Sequence, residues 1–473
     1  MPAEQSRRAC VRNTLTRWFR VDSRTLAAFR IALGALLLAD LALRMRHLRT
    51  FYTGAGVLPP STLATAFPTL SRLSLHAASG SAWLQGVLFA AAVVAALALL
   101  VGYRTRAAAV VSWLLLVSLH ARNPVILGAA DSILRRLLLW GVFLPLGAQW
   151  SADAHRTTSD SPEQVASITT AALLLQVVAV YVVNGVLKFR GDTWLAGDAI
   201  RYVFQTEAYA LPLADALASH PGLLTVLSHG WLVLLVASPL LVVFTGRARV
   251  LLVATFAAAH VGMAASMRLG LFPFVSLVAL VPFLPGCVWD RIPAHGWTPT
   301  AAFDRALPRL PRPRIPSNIA ATARTTGTVV VTCLLVVLVA WNAAALGYVD
   351  APESGTVSPQ EHRWDMFAPE PRHATVAYDA TGELASGSRI DIADGGLDGV
   401  RWRTYLFSLE QSESELQAAF GAYLCDQGRE VNATLQTVNV TYKKRIVELN
   451  APGVTTTTQY TVGCDATTEA NGQ

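Results

Sequence analysis

The chain has 473 residues, of which 53% are hydrophobic and only 15% charged, with a mean hydropathy of +0.42. Soluble domains carry about a quarter charged residues, so a wholly soluble protein is ruled out. The formal charge of +7 is the balance of two unlike parts, a net of +16 over residues 1–349 and −9 over residues 350–473, and the arginines are spread over loops instead of forming one basic patch, which argues against a nucleic-acid partner.

Residues 1–25 form an arginine-rich start that precedes the first apolar run, and that run contains Arg30 and Asp40, so a cleaved signal peptide is not expected. Crossing about 30 Å of hydrocarbon takes roughly 20 helical residues. Apolar runs near 26–43, 82–101, 107–120, 133–147, 166–187, 222–244, 249–266, 270–287 and 326–347 therefore predict about nine membrane-embedded helices, with the lipid bilayer as the first partner. The runs at 107–120 and 133–147 are short and their connection is polar, so this region can enter the bilayer only where neighbouring protein shelters it. The Pro/Arg stretch from 305 to 316 reads as a linker. Residues 348–473 follow as a small α+β domain, with alternating strand patterns at 435–442 and 455–462 and one helix near 412–423. The fold class is thus an all-α polytopic membrane domain over 26–347 with a small C-terminal α+β domain over 348–473.

Orientation follows from arginine. With the N-terminus in the cytoplasm, the cytoplasmic segments hold 17 arginines and the opposite loops 10, although the latter are as long or longer. The positive-inside rule favours this arrangement, and an odd number of spans then places the C-terminal domain outside a cell membrane. Cys425 and Cys464 fall on that side and are available for a disulfide, as are sequons at Asn432 and Asn439 for modification. The remaining cysteines, Cys10, Cys287 and Cys333, show no spacing of a metal site, and none is expected.

Polar residues at membrane depth are costly and mark candidate sites. Asp40 and Arg44 stand four apart on one helix face; Arg122, Asn123 and Asp131 cluster in the third connection. Asn184 and Lys188 end the fifth run, and His260 lies within the seventh. Arginine outnumbers lysine 35 to 3, and Lys188 is the sole lysine before Lys443. Each residue also has a structural reading: an interfacial ion pair for Asp40 and Arg44, a snorkelling lysine for Lys188, satisfaction of a broken helix for Arg122 to Asp131, and a hydrogen-bonded core histidine for His260.

Taken together these stretches resemble the HTTM family, the horizontally transferred transmembrane domain shared with vitamin K-dependent γ-carboxylase. The resemblance is carried by Phe29-Arg30-Ile31 with Asp40 and Arg44, Phe51-Tyr52-Thr53 with Gly56-Val57-Leu58-Pro59, Arg122-Asn123-Pro124 and Asp131. It continues through Trp150-Ser151-Ala152-Asp153, the Tyr181 to Lys188 stretch with Trp194 and Gly197, and Trp364-Asp365-Met366-Phe367-Ala368-Pro369. It implies a membrane enzyme that oxidises a vitamin K-type quinol (menaquinol or similar) with O₂ as the driving reaction, and uses the strong base so produced for proton abstraction and carboxylation with CO₂. The family's base is a lysine matching Lys188, and Arg122, Asn123 or His260 would orient the quinol oxygens. The animal pattern has an Asn-His pair where this chain has Asn123-Pro124, and the C-terminal part here is much shorter than the animal lumenal region. A protein or peptide substrate at the outer face is one expectation, and a non-catalytic membrane anchor that binds a partner is the alternative. A transporter ranks last, because no internal repeat is evident. Lys188→Met is expected to stop quinol oxidation while leaving the amount of folded protein nearly unchanged.

A reporter fused after Gln473 is expected to behave as extracytoplasmic, and a cysteine at Ser159 to resist an impermeant reagent in intact cells. Labelling of Ser159→Cys from outside would refute the N-terminus-inside orientation.

Overall fold

The computed structural model describes residues 2–156, 162–291, 316–350, 358–360, 363–384, 386–392, 397, 399–410, 414–430, 435–449 and 453–464. Ser159, Asn432 and residues 305–315 of the linker lie outside them. After an N-terminal helix, α1 (Pro2–Phe19), each of the nine apolar runs carries helix: α2 (Ser23–Met45), α3 (Ala82–Val101), α4 (Thr105–Arg122), α5 (Ala129–Phe143), α6 (Ile168–Lys188), α7 (Pro221–Ala237), α8 (Gly246–Ser266), α9 (Phe272–Leu280) and α10 (Ser317–Ala345). Five of these, α2, α3, α6, α8 and α10, are long and apolar enough to cross a membrane. The bent pair Pro212–Ala218 and Pro221–Ala237, which meets at 112°, makes a sixth if it counts as one span. The chain is a multi-pass membrane protein.

Local chemistry sets the helix that matters most. Ser167 Oγ accepts from the Thr170 amide and Thr170 Oγ1 accepts from the Ser167 amide, a reciprocal cap that starts α6. With apolar side chains on most of its circumference, α6 is buried except for a half-buried stripe at Leu175, Ala179, Val182 and Val186, and packs against α5, α7 and α10. Elsewhere α2 lies on α3 and α3 on α4. The first of these approaches needs Gly34, since a Cβ there would stand 2.8 Å from the Leu100 Cα.

The C-terminal part is a four-stranded antiparallel sheet of order β4-β3-β5-β6, following a two-residue pair β1 (Val21–Asp22) and β2 (Gln164–Val165) in the helical part. Its strands are β3 (Ala374–Leu384), β4 (Arg389–Asp391), β5 (Leu435–Ile446) and β6 (Val454–Gly463), with helices α11 (Val400–Glu410) and α12 (Ser414–Glu430). Helix α12 packs on β5, and Cys425 bonds to Cys464 with their Cα atoms 5.6 Å apart. The sheet region does not stand off from the helices. Leu41, Phe51, Tyr52 and Val57 share one core with Trp402, Tyr405, Phe420 and Cys425. Helix α11 makes the join: Trp402 packs on Phe51 at 5.0 Å between ring centroids, Tyr405 donates to the Val57 carbonyl, and Ser408 donates to that of Val125.

Thiol labelling of unreduced protein is expected to spare Cys425 and Cys464. Reduction should destabilise the C-terminal part by about 2–4 kcal/mol, the usual contribution of a cross-link. Modification of both cysteines without reductant would contradict the bridge.

Candidate functional site

Tyr181, Asn184 and Lys188 recur at spacings of three and four on α6 and so share a face. At the C-terminal end of that face runs the segment after the last long helix. Asn184 Nδ2 donates to the carbonyls of Trp364 and Met366, each at 3.0 Å, and Lys188 Nζ donates to those of Met366 and Phe367, each at 2.8 Å. The Trp194 indole donates to the Phe367 carbonyl at 2.7 Å, and its ring face lies 3.7 Å from Lys188 Nζ. Phe367 has φ 53°, uncommon for a residue with a side chain. Arg136 stacks over Trp364, and Arg190 donates to the Leu346 carbonyl at the end of α10. Gly191 is needed here for close approach, since a Cβ would fall 2.0 Å from the Pro369 oxygen.

This face opens on a cavity of about 620 Å³ between α6, α7, α8 and α9. Its walls are almost wholly apolar, and its polar residues include Lys188, Asn184, Tyr181, His260 and Gln176. The volume falls within the roughly 300–1,000 Å³ usual for ligand pockets. Lys188 is only 2% exposed. His260 is hydrogen-bonded through Nε2 to the Tyr181 hydroxyl at 2.9 Å and lies edge-on to Trp231, with ring centroids 5.7 Å apart.

The four residues offered for catalysis and quinol binding, Lys188, Arg122, Asn123 and His260, do not all line one cavity. Lys188 and His260 line one cavity, as the sequence reading allowed. Arg122 and Asn123 are not among its lining residues, so of the three residues offered for orienting quinol oxygens only His260 shares the cavity with Lys188, a correction for the other two. They hold the loop between α2 and α3 instead: Arg122 donates to the Leu58 and Thr53 carbonyls and Asn123 to that of Phe51, all at 2.9 Å. The physical reason is that backbone carbonyls of a buried loop must find donors, and α4 ends where those carbonyls lie.

Beside that loop is a second polar cluster. Arg44 donates to Asp40 at 2.7 Å, to the Tyr52 oxygen at 2.7 Å and to Asp131, and meets His120 Nε2 at 3.0 Å. Arg401 of α11 reaches Asp40 at 2.7 Å and Asp131 at 3.5 Å. Asp40, His120 and Asp131 bring ligand atoms within 4.8 Å of one another. Arg44 contacts all three and Arg401 both carboxylates, so two guanidinium groups balance the two carboxylates of this ion-pair network. Gln176, Tyr181, His120 and Arg401 were not singled out as site residues; Tyr181 and Gln176 carried a usable signal, being polar groups on an otherwise apolar membrane helix.

A helical membrane protein with a buried amine at an apolar cavity is the class that fold and site define. A model of the HTTM domain matches residues 19–287, more than half of the chain, and the chain belongs to that family. No curated protein and no solved structure matches it.

Removing Arg44 while leaving its carboxylates buried costs about 3–5 kcal/mol. Arg44→Leu is expected to lower the yield of folded protein sharply, whereas Arg445→Ala, which breaks an exposed pair with Glu207, should cost about 0–1 kcal/mol. Equal yields of both variants would show that the buried network does not support the fold.

Proposed function

We propose that the chain is a quinol-dependent membrane enzyme of the γ-carboxylase type, with Lys188 as the general base. The observation that supports this reading is the position of Lys188: a 2%-exposed amine on the wall of a cavity that is otherwise almost wholly apolar and also presents His260. A membrane-soluble hydroquinone suits such walls, and a bound quinol would supply, with O₂, the strong base needed for carboxylation of an acceptor with CO₂.

The chain's own groups have defined parts in this reading. The carbonyls of Met366 and Phe367 take two N–H bonds of Lys188, as many as a neutral amine carries, and the Trp194 ring face covers a third direction; once deprotonated, the amine would keep both bonds and hold its lone pair for a proton. Asn184 and Trp194 fix the same carbonyls and thereby the direction of the amine. Apolar walls exclude water, which keeps the base from being solvated.

The same hydrogen bonds also favour a second reading, a non-catalytic membrane anchor in which Lys188 and Asn184 serve only to hold residues 364–367. Both readings change one sequence-based expectation: Lys188→Met removes two hydrogen bonds from carbonyls that keep Asn184 and Trp194 as donors, a cost of about 0.5–1.5 kcal/mol for each bond, so its folded yield should fall and activity must be normalised to folded protein.

Per folded molecule, Lys188→Met is expected to oxidise a menaquinol-type substrate under O₂ and CO₂ about 10²–10⁴-fold more slowly than the wild type. Lys188→Arg should fail as well, because a guanidinium stays protonated. Wild-type membranes that oxidise no quinol, or a Met variant as active as the wild type, would favour the anchor.

A further inference from the structure

The cavity beside Lys188 is not closed. Every exposed residue of its wall lies on α7 or α8, apart from Leu213 in the short helix that leads into α7; none lies on α5, α6, α9 or the segment at 364–367. Gly230 of α7 and Ala258 and Gly262 of α8 are among the exposed ones. Helix α7 packs on α6 and α8 on α9, and the two bridge the gap between them through Trp231, whose ring lies edge-on to Phe256 and His260 at 6.3 and 5.7 Å between centroids. Beside the gap stand Val233 of α7 and Leu251 and Val261 of α8, each more than half exposed. Exposed aliphatic side chains on the helices of a membrane bundle are the surface that lipid covers, so the cavity opens sideways into the bilayer.

Packing does not account for the two glycines. Both stand within helices, where glycine weakens the helix relative to alanine, yet a Cβ at either would meet nothing within 4 Å and neither has a positive φ. Gly185 shows the contrast: a Cβ there would come 3.2 Å from the Leu235 Cβ, so that glycine serves the close approach of α6 and α7. At Gly230 and Gly262 the missing side chains leave open space instead. We infer that the gap between α7 and α8 is a lateral mouth of the cavity, which takes the aliphatic tail of a lipid-borne ligand whose ring lies at Lys188. This rests on the quinol reading above and adds to it the way in and the residues that keep it wide.

Ring and tail fit one molecule. Helix α6 ends on the side where α7 begins and α8 ends, and the Leu211 amide, just before the short helix, donates to the Ser266 carbonyl at the end of α8 at 3.0 Å. A ring at Lys188 therefore has the near part of the mouth beside it, while Gly230, nine residues into α7, lies about 14 Å along that helix. A tail that leaves between α7 and α8 passes from apolar wall to lipid without crossing water. It gains little affinity by doing so, because lipid is as apolar as the wall. What the mouth decides is admission: a tailed ring needs the gap, and a tailless ring does not.

The test is equilibrium binding to full-length protein in lipid nanodiscs, corrected for partition into empty discs. The probes are 2-methyl-1,4-naphthoquinone and a menaquinone with four isoprene units, the same ring without and with a tail. Wild type should bind both. Gly230→Leu and Gly262→Leu fill the mouth where a Cβ meets open space, and each should weaken the tailed probe about tenfold or more while changing the tailless one less than about threefold. Gly222→Leu, on α7 but off the cavity wall, should change neither. Gly230→Leu and Gly262→Leu variants that bind the tailed probe as wild type does, or that lose both probes equally, overturn the lateral mouth, as does a wild type that binds only the tailless ring. Conversion of an oligomer to a monomer by Gly230→Leu, with the tailed probe still bound, overturns it in favour of a second copy of the chain in the gap. In each of these events the quinol reading still stands if Lys188→Met slows turnover per folded molecule. Failure of wild type to bind either probe overturns both.

Discussion

Four hydrogen bonds from one end of α6 carry the arrangement around the cavity. Asn184 and Lys188 each donate twice to the backbone of residues 364–367, which are nearly 180 positions away in the chain. In an apolar helical bundle these carbonyls have little water to turn to, so side-chain donors must supply what a helix or sheet would otherwise provide. The result is that the segment leaving the last long helix is pinned against α6, with Trp194 donating to Phe367 from a third direction. A wall of the cavity is thus built from backbone held by the amine of a residue that lines it. In the proposed enzyme, structure and chemistry therefore meet at one atom, Lys188 Nζ, and a change there touches both.

The two polar clusters divide the work. The network of Arg44, Asp40, Asp131 and His120 joins α2, α4 and α5 and takes Arg401 from α11, so that the sheet-bearing part is seated on the helices by charge as well as by the shared core around Phe51 and Trp402. Its charges are matched internally, which suits a permanent joint. The cavity of Lys188, Gln176 and His260 is the opposite case: few polar groups set among apolar walls, two of them with a buried nitrogen that has no hydrogen-bond partner among the described residues. Unpaired polarity in a lipid-facing fold is stable only when packing elsewhere compensates, and such positions are where a ligand gains most from binding.

Much of this was legible in the sequence, for reasons that can be stated. Each apolar run became helix because length and hydropathy leave a membrane segment little alternative. Strands β5 and β6 followed their alternation, and Cys425 and Cys464 met as a bridge. Lys188 stood out as the lone amine among arginines. Helix α11 was missed although Trp402, Tyr405, Leu406 and Leu409 repeat with helical spacing, and strands β3 and β4 were missed because Ala374–Leu384 mixes small and polar residues without a clear period. What sequence could not supply was pairing across distance: Arg401 with Asp40 is separated by 361 positions, and nothing local at either residue announces the other. The same limit left Arg122 and Asn123 as candidates for orienting quinol oxygens, while the carbonyls at residues 51–58 claim them instead.

In the proposed enzyme the Lys188 amine faces a bound quinol. An experimental structure of the full-length protein in nanodiscs with a bound naphthoquinone measures this most directly, through the separation between Nζ and the nearer ring oxygen. The ring is expected in the cavity between α6 and α8 with that oxygen within about 3.2 Å of Nζ, the reach of a proton transfer. A ring bound elsewhere, with Lys188 still closed against Met366 and Phe367, would contradict it.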